Sequence, residues 1–246
     1  MNLKLLNYSV ITVDQTTSTN SLLNEMRTNH DLPNGVILLA KNQTQGKGQR
    51  GNKWIAQKGQ NLTASIFIET SIKSHHAFYL NIITSLAIYK CLEDLSIISK
   101  IKWPNDILIN EKKIAGILIE NQLHGKTVQS SIIGIGININ QTDFIKNLNA
   151  TSLKLITDKT FEINEVLKIV YQYLDFYFNL LRESNFTILK KHYLNHLYQI
   201  NRTGLFEDKN GKFHGKITGI DEFGKLLVRK NDDKTYSYDI QEISYL

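Results

Sequence analysis

The stretch GVILLAKNQTQGKGQRGNKW, residues 35–54, places a short apolar run directly before a loop rich in glycine and basic residues. The run from Gly35 to Ala40 is typical of a buried strand. Residues 46–51 match GxGxxG, but a dinucleotide-binding fold needs a helix to open at that loop, and residues 55–59 (IAQKG) have no helical apolar period. A P-loop is excluded as well, because Lys41 stands where its first glycine is required and Gly48 follows Lys47. The two common nucleotide-binding motifs therefore do not apply.

This loop still has the composition of an anion site. Its glycines at 46, 48 and 51 are interleaved with Lys47, Arg50 and Lys53, so backbone N–H groups and cations can approach phosphates closely. The alternative is a flexible polar loop without a ligand. Trp54 at its end is either an apolar wall of a site or part of the core.

Working outward, the intermixed strands and helices predict an α/β or α+β domain followed by a small β domain. A strand from Leu62 to Ile68 alternates strictly, and Asn164 is predicted to cap a long helix. From about Asn201 the chain changes to short strands and turns, which predicts a small β-barrel. The remaining predicted elements are helices at 20–27 and 78–95, a hairpin over 107–119 and a strand at 132–139.

Three further segments carry polar groups or glycines that chemistry can use. Lys102-Trp103-Pro104-Asn105-Asp106 combines a rigid proline with groups that can orient a metal-bound phosphate or another loop. Lys113 begins an apolar strand, where it is either functional or an edge-strand guard against aggregation. Gly134 and Gly136 interrupt another apolar strand, so they mark either a bulge or a close approach of a flat ligand.

Composition excludes several classes of protein. The chain has a formal net charge of +6, which suits an anionic partner without naming one. A single cysteine, Cys91, cannot form an intrachain disulfide, and the seven histidines lack metal-ligand spacing. Without a signal-peptide pattern or a membrane-length apolar run, we expect a cytoplasmic protein that has no membrane segment.

Taken together, these segments resemble the biotin–protein ligase family. The match comprises Ser18-Thr19-Asn20, Gln43 with the loop ending at Trp54, the KWPND segment at 102–106, KIAGILIE at 113–120 and GIGIN at 134–138. KWPND is the most specific of these motifs, and their order and spacing agree from residue 18 to residue 140.

The resemblance implies a fold, an activity and partners. The fold would be a mixed sheet flanked by helices, as in class II synthetases, over residues 1–198, with an SH3-like barrel over 199–246. The activity would be ATP-dependent formation of biotinoyl-5′-AMP and transfer of biotin to a lysine of a biotin carboxyl carrier protein. Mg²⁺ would accompany ATP, and the enzyme would be a monomer or a homodimer.

The resemblance also implies roles for individual residues. Lys113, Asp106 and Lys102 would be catalytic, with Asp106 a candidate metal ligand. The biotin site would comprise Ser18, Thr19, Asn20, Gln43, Gly46, Lys47, Gly48, Gln49, Lys113, Gly116, Gly134 and Gly136. The ATP or adenylate site would comprise Lys47, Arg50, Trp54, Asn105, Lys113 and Asn138.

Two departures from the family pattern alter these expectations. The family often carries arginine where this chain has Lys47 and Gln49, so retention of the adenylate depends on Arg50. The Ser18 motif also begins close to Met1, which predicts a ligase without the DNA-binding domain of some relatives. Lipoate–protein ligases and a nucleic-acid-binding module are the alternatives, and KWPND and the absence of an RNP-like motif speak against them, respectively.

Overall fold

The computed structural model describes residues 8–29, 31–145 and 148–246. Two sheets and five α-helices make up this part of the chain. The strands are β1 Ser9–Val13, β2 Val36–Ala40, β3 Leu62–Lys73, β4 Lys100–Lys102, β5 Asp106–Ile109, β6 Lys112–His124, β7 Thr127–Ile137, β8 Thr203–Asp208, β9 Gly211–Ile220, β10 Leu226–Lys230, β11 Thr235–Tyr238 and β12 Ile243–Tyr245. The helices are α1 Thr19–Asn29, α2 Phe78–Asp94, α3 Leu153–Thr157, α4 Ile163–Arg182 and α5 Phe186–His196.

The larger sheet has seven strands in the order β1-β2-β3-β7-β6-β5-β4. β1 and β2 run parallel, and the other neighbours are antiparallel. Strands β6 and β7 are therefore interior strands, each paired on both sides. This confirms the predicted mixed sheet flanked by helices.

The two faces of this sheet carry different helices because side chains alternate along each strand. Ile37 and Leu39 of β2 join the large core that includes α2 and α4. Val36 and Leu38 join a smaller cluster with Leu23 of α1 on the opposite face. Since α1 is short, it covers only part of its face and leaves room for a cavity beside it.

The helices confirm most of the predicted pattern and correct one detail. Cys91 is fully buried in α2, as expected for a small apolar side chain. Asn164 does not cap α4: the helix begins at Ile163, with Glu162 at the cap position. None of the described helices is long and apolar enough to cross a membrane.

The C-terminal region is a five-stranded antiparallel sheet in the order β11-β10-β9-β8-β12. Among the described residues no pairing joins β11 to β12, so the sheet is not the closed barrel that we expected. One turn of this sheet reaches the segment at residues 102–106, where the carbonyl of Gly224 accepts a hydrogen bond from Trp103 Nε1 at 2.8 Å.

Candidate active site

A cavity lies on the α1 face of the large sheet. Its floor is formed by β6 and β7, one wall by the start of α1, and its cover by the loop over residues 43–54. The lining includes Ser18, Thr19, Asn20, Gln43, Lys47, Gly48, Gln49, Asn52, Lys53, Trp54, Asn105, Asp106, Lys113, Gly116, Ile117, Leu118, Gly134, Ile135 and Gly136. The structure thus brings together motifs that lie more than one hundred residues apart in the chain.

The wall at α1 is held by a side chain from the loop. Gln43 Oε1 accepts hydrogen bonds from Thr19 N at 2.7 Å and from Thr19 Oγ1 at 3.0 Å. The amide oxygen of Gln43 thereby satisfies a free N–H at the start of α1, as a capping side chain would. Ser65 Oγ lies 2.7 Å from Thr19 Oγ1, and both residues are buried.

Asn20 links this wall to the floor of the cavity. Its Nδ2 donates to Glu120 Oε2 at 2.8 Å, and its Oδ1 lies 2.6 Å from Ser65 Oγ. Gly134 allows this approach, since a Cβ there would collide with Asn20 Oδ1 and lie 3.1 Å from its Cγ. The sequence left a bulge or a close approach open at Gly134, and the structure shows a close approach, by Asn20.

Trp54 lies across the other two glycines of the floor. A Cβ at Gly136 would lie 2.6 Å from Trp54 Cζ2, and one at Gly116 would lie 3.4 Å from Trp54 Cζ3. Trp54 N donates a hydrogen bond to the Gly46 carbonyl at 2.9 Å, which joins the two ends of the loop and holds Trp54 over the glycines. Trp54 Nε1 is buried without a partner among the described residues. The indole is thus a wall of the cavity that retains an unused donor.

The charged centre of the cavity is an ion pair. Lys113 Nζ lies 2.6 Å from Asp106 Oδ1, and about a third of the Lys113 side chain is exposed. Lys113 stands on β6, an interior strand, which removes the alternative that it guards a sheet edge. Asp106 is the only carboxylate among the lining residues, so it is the only anionic group of the lining that can pair with Lys113. Because the Lys113 side chain is partly exposed, an incoming anion can replace Asp106 as its partner.

Three predicted site residues, Gly46, Lys102 and Asn138, lie outside the cavity lining. Lys102 Nζ lies 4.8 Å from the centre of the Tyr245 ring, outside the lining. Asn138 is buried, and its Nδ2 donates to the Thr151 carbonyl at 3.0 Å. The side chain of Arg50 lies outside the part of the structure that is described.

Several lining residues were not predicted from the sequence. Asn52 and Lys53 belong to the loop that we singled out, so their composition already pointed to them. Ser65 does not line the cavity but contacts its wall at Thr19 and Asn20, and its signal was weaker: strict alternation places it on the other face of β3 from Leu62 and Ala64. Ile117 and Leu118 belong to the KIAGILIE motif but were not assigned to the site, because apolar residues in a strand are usually core.

A polar wall at a helix start, a glycine floor and a cation beneath a basic loop suit the binding of a small anionic ligand. Residues 12–138 match the Biotin/lipoate A/B protein ligase family, and residues 205–244 match the Biotin protein ligase C terminal domain. The chain belongs to the biotin/lipoate A/B protein ligase family, and its two matched regions support a biotin ligase over a lipoate ligase.

Individual relatives agree with this assignment. The Bifunctional ligase/repressor BirA of Bacillus subtilis is 33% identical over 235 residues, which cover 93% of this chain and 72% of that protein. The Biotin--[acetyl-CoA-carboxylase] ligase of Paracoccus denitrificans is 34% identical over 111 residues, 44% of this chain and 46% of that one. The structure of the biotin protein ligase from Aquifex aeolicus in complex with biotin and ATP superposes with a TM-score of 0.80, at 27% identity, covering 97% of this chain and 98% of the other.

Proposed function

We propose that this enzyme activates biotin with ATP in the cavity described above and transfers it to a lysine of a biotin carboxyl carrier protein. The observation that carries the proposal is the placement of Lys113 beside Asp106 on a glycine floor, beneath a basic loop. Biotin and lipoate are both activated through a carboxylate, so Lys113 and Asp106 do not distinguish between them. The choice of biotin as the substrate rests on the similarity to biotin ligases.

The chemistry requires activation because a carboxylate is a poor acyl donor at neutral pH. A biotin carboxylate oxygen attacks the α-phosphorus of ATP, and pyrophosphate leaves. The carrier lysine then attacks the carbonyl carbon of biotinoyl-5′-AMP, AMP leaves, and the lysine nitrogen loses a proton. Both steps place negative charge near the α-phosphate, where a fixed cation lowers the barrier most.

Lys113 is the residue proposed to supply that charge. Its Nζ is held by Asp106, yet its side chain remains about one-third exposed and can turn from the carboxylate to the reacting oxygens. Asp106 then holds Lys113 between turnovers and orients the acceptor amine. Lys102 has no direct role in this proposal, because its Nζ lies over Tyr245.

The biotin head group is proposed to bind at the start of α1. Ser18, Thr19 and Gln43 line the cavity there, where the dipole of an eleven-residue helix favours an acceptor atom. Trp54 closes the site, and its unpartnered Nε1 is a donor for the ligand. The nucleotide is then bound by the loop cations, with Lys47 and Lys53 in the lining.

Mg²⁺ fits this site as a companion of the nucleotide rather than as a resident metal. No cluster of three His, Cys, Asp or Glu side chains exists among the described residues. A single carboxylate, Asp106, faces the cavity, and Mg²⁺ is commonly held by one or two carboxylates plus substrate phosphates and water. Bound there, the ion would neutralise phosphate charge.

The proposal extends to the surroundings of the reaction. Because the reaction consumes ATP and modifies a carboxylase carrier, we place it in the cytoplasm. We divide the chain into a catalytic domain, 1–198, and a C-terminal domain, 199–246, supported by the end of α5 at His196 and the start of β8 at Thr203. A monomer or homodimer without specific DNA binding remains a prediction.

Biotin-dependent exchange of pyrophosphate into ATP is the test of the first half-reaction. We expect exchange with biotin and none with lipoate. Transfer to purified carrier protein is then measured separately. Exchange with lipoate alone would replace the substrate in this proposal, and no exchange with either acid would refute the adenylation step.

Gln49→Arg is expected to reduce the release of free biotinoyl-5′-AMP several-fold. Gln49 lines the cavity but carries no charge, whereas an arginine there can bind the phosphate of the intermediate through two parallel hydrogen bonds. The measurement is free adenylate per pyrophosphate formed, without carrier. Gln45→Arg, outside the lining, is the control, and equal release from both variants and the wild type would contradict the prediction.

A further inference from the structure

The C-terminal sheet contacts the KWPND segment at two points. Trp103 is 3% exposed, and its Nε1 donates to the Gly224 carbonyl at 2.8 Å. Beside it, Lys102 Nζ lies 4.8 Å from the ring centre of Tyr245 on β12. Both contacts join residues more than one hundred positions apart, so they hold the two parts of the chain together at the segment that bears Asp106.

The turn that presents Gly224 is fixed by its own hydrogen bonds. Asp221 Oδ1 accepts from Phe223 N and from Lys225 N, each at 2.9 Å, and Asp221 Oδ2 accepts from Ser237 Oγ at 3.0 Å. The Asp221 carboxylate therefore sets the conformation of the turn and the direction of the Gly224 carbonyl.

This turn also packs closely against the first residue of α2. Gly224 has a φ of +86°, and a Cβ there would collide with the Phe78 ring, at 2.5 Å from Cδ1. Phe78 begins α2, which packs beneath the sheet that bears the cavity. The turn thus packs against the start of α2, and this contact helps to position the Gly224 carbonyl that accepts the hydrogen bond from Trp103.

On its other side the KWPND segment is held by β6. Asn105 Nδ2 donates to the Ile117 carbonyl at 2.7 Å, and Ile117 N donates to the Asn105 carbonyl at 3.0 Å. Asp106, the next residue, pairs with Lys113 at 2.6 Å. Trp103 and Asn105 are therefore the two anchors of a short turn whose last residue contacts the catalytic lysine.

We propose that the Asp221–Gly224 turn is a positioning element for catalysis, which acts through Trp103 on the Asp106–Lys113 pair. The inference rests on the proposed roles of Asp106 and Lys113. Trp103 and Asp221 are positioning residues, since neither lines the cavity. Removing the Trp103–Gly224 bond lets the segment move by a fraction of an ångström, and a small misplacement of a catalytic group lowers the rate strongly.

The test is a double-mutant cycle on the rate of adenylate formation. Trp103→Phe removes the donor and keeps an aromatic ring, and Asp221→Ala loosens the turn. We expect each to lower the single-turnover rate constant about tenfold, with biotin affinity changed less than threefold. Single-turnover rate constants do not depend on the fraction of active enzyme, so a merely structural loss leaves them unchanged.

Asp232→Ala is the matched control. Asp232 fixes the β10–β11 turn in the same way, with Oδ1 accepting from Lys234 N at 3.1 Å and Oδ2 from Tyr236 Oη at 2.7 Å. That turn lies at the opposite end of β10 from Gly224, so the rate constant should stay at the wild-type value.

The outcomes separate this inference from the proposed function. If both residues act through one hydrogen bond, the double variant is no slower than Trp103→Phe alone. Multiplying defects, a wild-type rate in Trp103→Phe, or an equal defect in Asp232→Ala would overturn the positioning role. A wild-type enzyme that forms no adenylate would refute the proposed function instead.

Discussion

Lys113→Ala is expected to lower the rate of biotinoyl-5′-AMP formation by about 10²- to 10³-fold, the usual effect of removing one group that stabilises charge in the transition state. Two changes act together in this variant. The α-phosphate loses its fixed cation, and the Asp106 carboxylate, now without the partner 2.6 Å away, repels the phosphates. Rapid-quench measurement of adenylate under single-turnover conditions gives the rate constant.

Stability should change little in the same variant. The Lys113 and Asp106 side chains are 36% and 26% exposed, and ion pairs that accessible contribute about 0–1 kcal/mol. Lys112→Ala is the matched control, because Lys112 is exposed on the adjacent position of β6 and outside the cavity lining. A wild-type rate in Lys113→Ala, or an equal loss in Lys112→Ala, would remove Lys113 from the reaction.

The architecture could be predicted where the local pattern and the tertiary environment agree. Strict alternation from Leu62 to Ile68 predicted β3, and the buried run from Val36 to Ala40 predicted β2. Helix ends were harder, as Asn164 shows, because Glu162 and Asn164 are both close enough to begin the helix and only packing decides.

The closed barrel could not have been excluded from sequence. Turns and short strands predict a β domain, but closure depends on whether the first and last strands meet in space. Among the described strands β12 instead pairs only with β8, at the edge of the sheet, and the ring of its Tyr245 lies 4.8 Å from Lys102 Nζ.

For the site, too, the sequence predicted some features and could not predict others. Motifs predicted which residues gather at the cavity, including Asn105, Asp106 and Lys113. The motifs could not predict where each side chain points. Lys102 belongs to the same motif as Asn105 and Asp106, yet its side chain lies over Tyr245 of the C-terminal sheet, and the motif carries no information about that sheet. Likewise, the glycines at 134 and 136 indicated either a bulge or a close contact with the backbone. The sequence could not show that the side chains in contact are those of Asn20 and Trp54.

Gly136→Ala is expected to lower kcat/KM for biotin by about 10²-fold. The new methyl group would lie 2.6 Å from Trp54 Cζ2, so the indole must leave the cavity floor. Overpacking of this kind costs about 1–3 kcal/mol. The loop over residues 43–54 can move more easily than the interior strand β7. The substitution is therefore expected to weaken closure of the site more than it lowers the stability of the fold. Steady-state kinetics and biotin titration measure the effect.

Trp54 fluorescence tells whether the indole has moved. The chain has two tryptophans, and Trp103 is 3% exposed beneath the C-terminal sheet, so a red shift in Gly136→Ala reports Trp54. The double variant Trp54→Ala/Gly136→Ala provides the decisive comparison. If the methyl group acts by displacing the indole, it adds no further defect once the indole is gone. A full additional loss in the double variant would mean instead that Gly136 is needed by the ligand itself, because only a bound ligand is then left for the methyl group to meet.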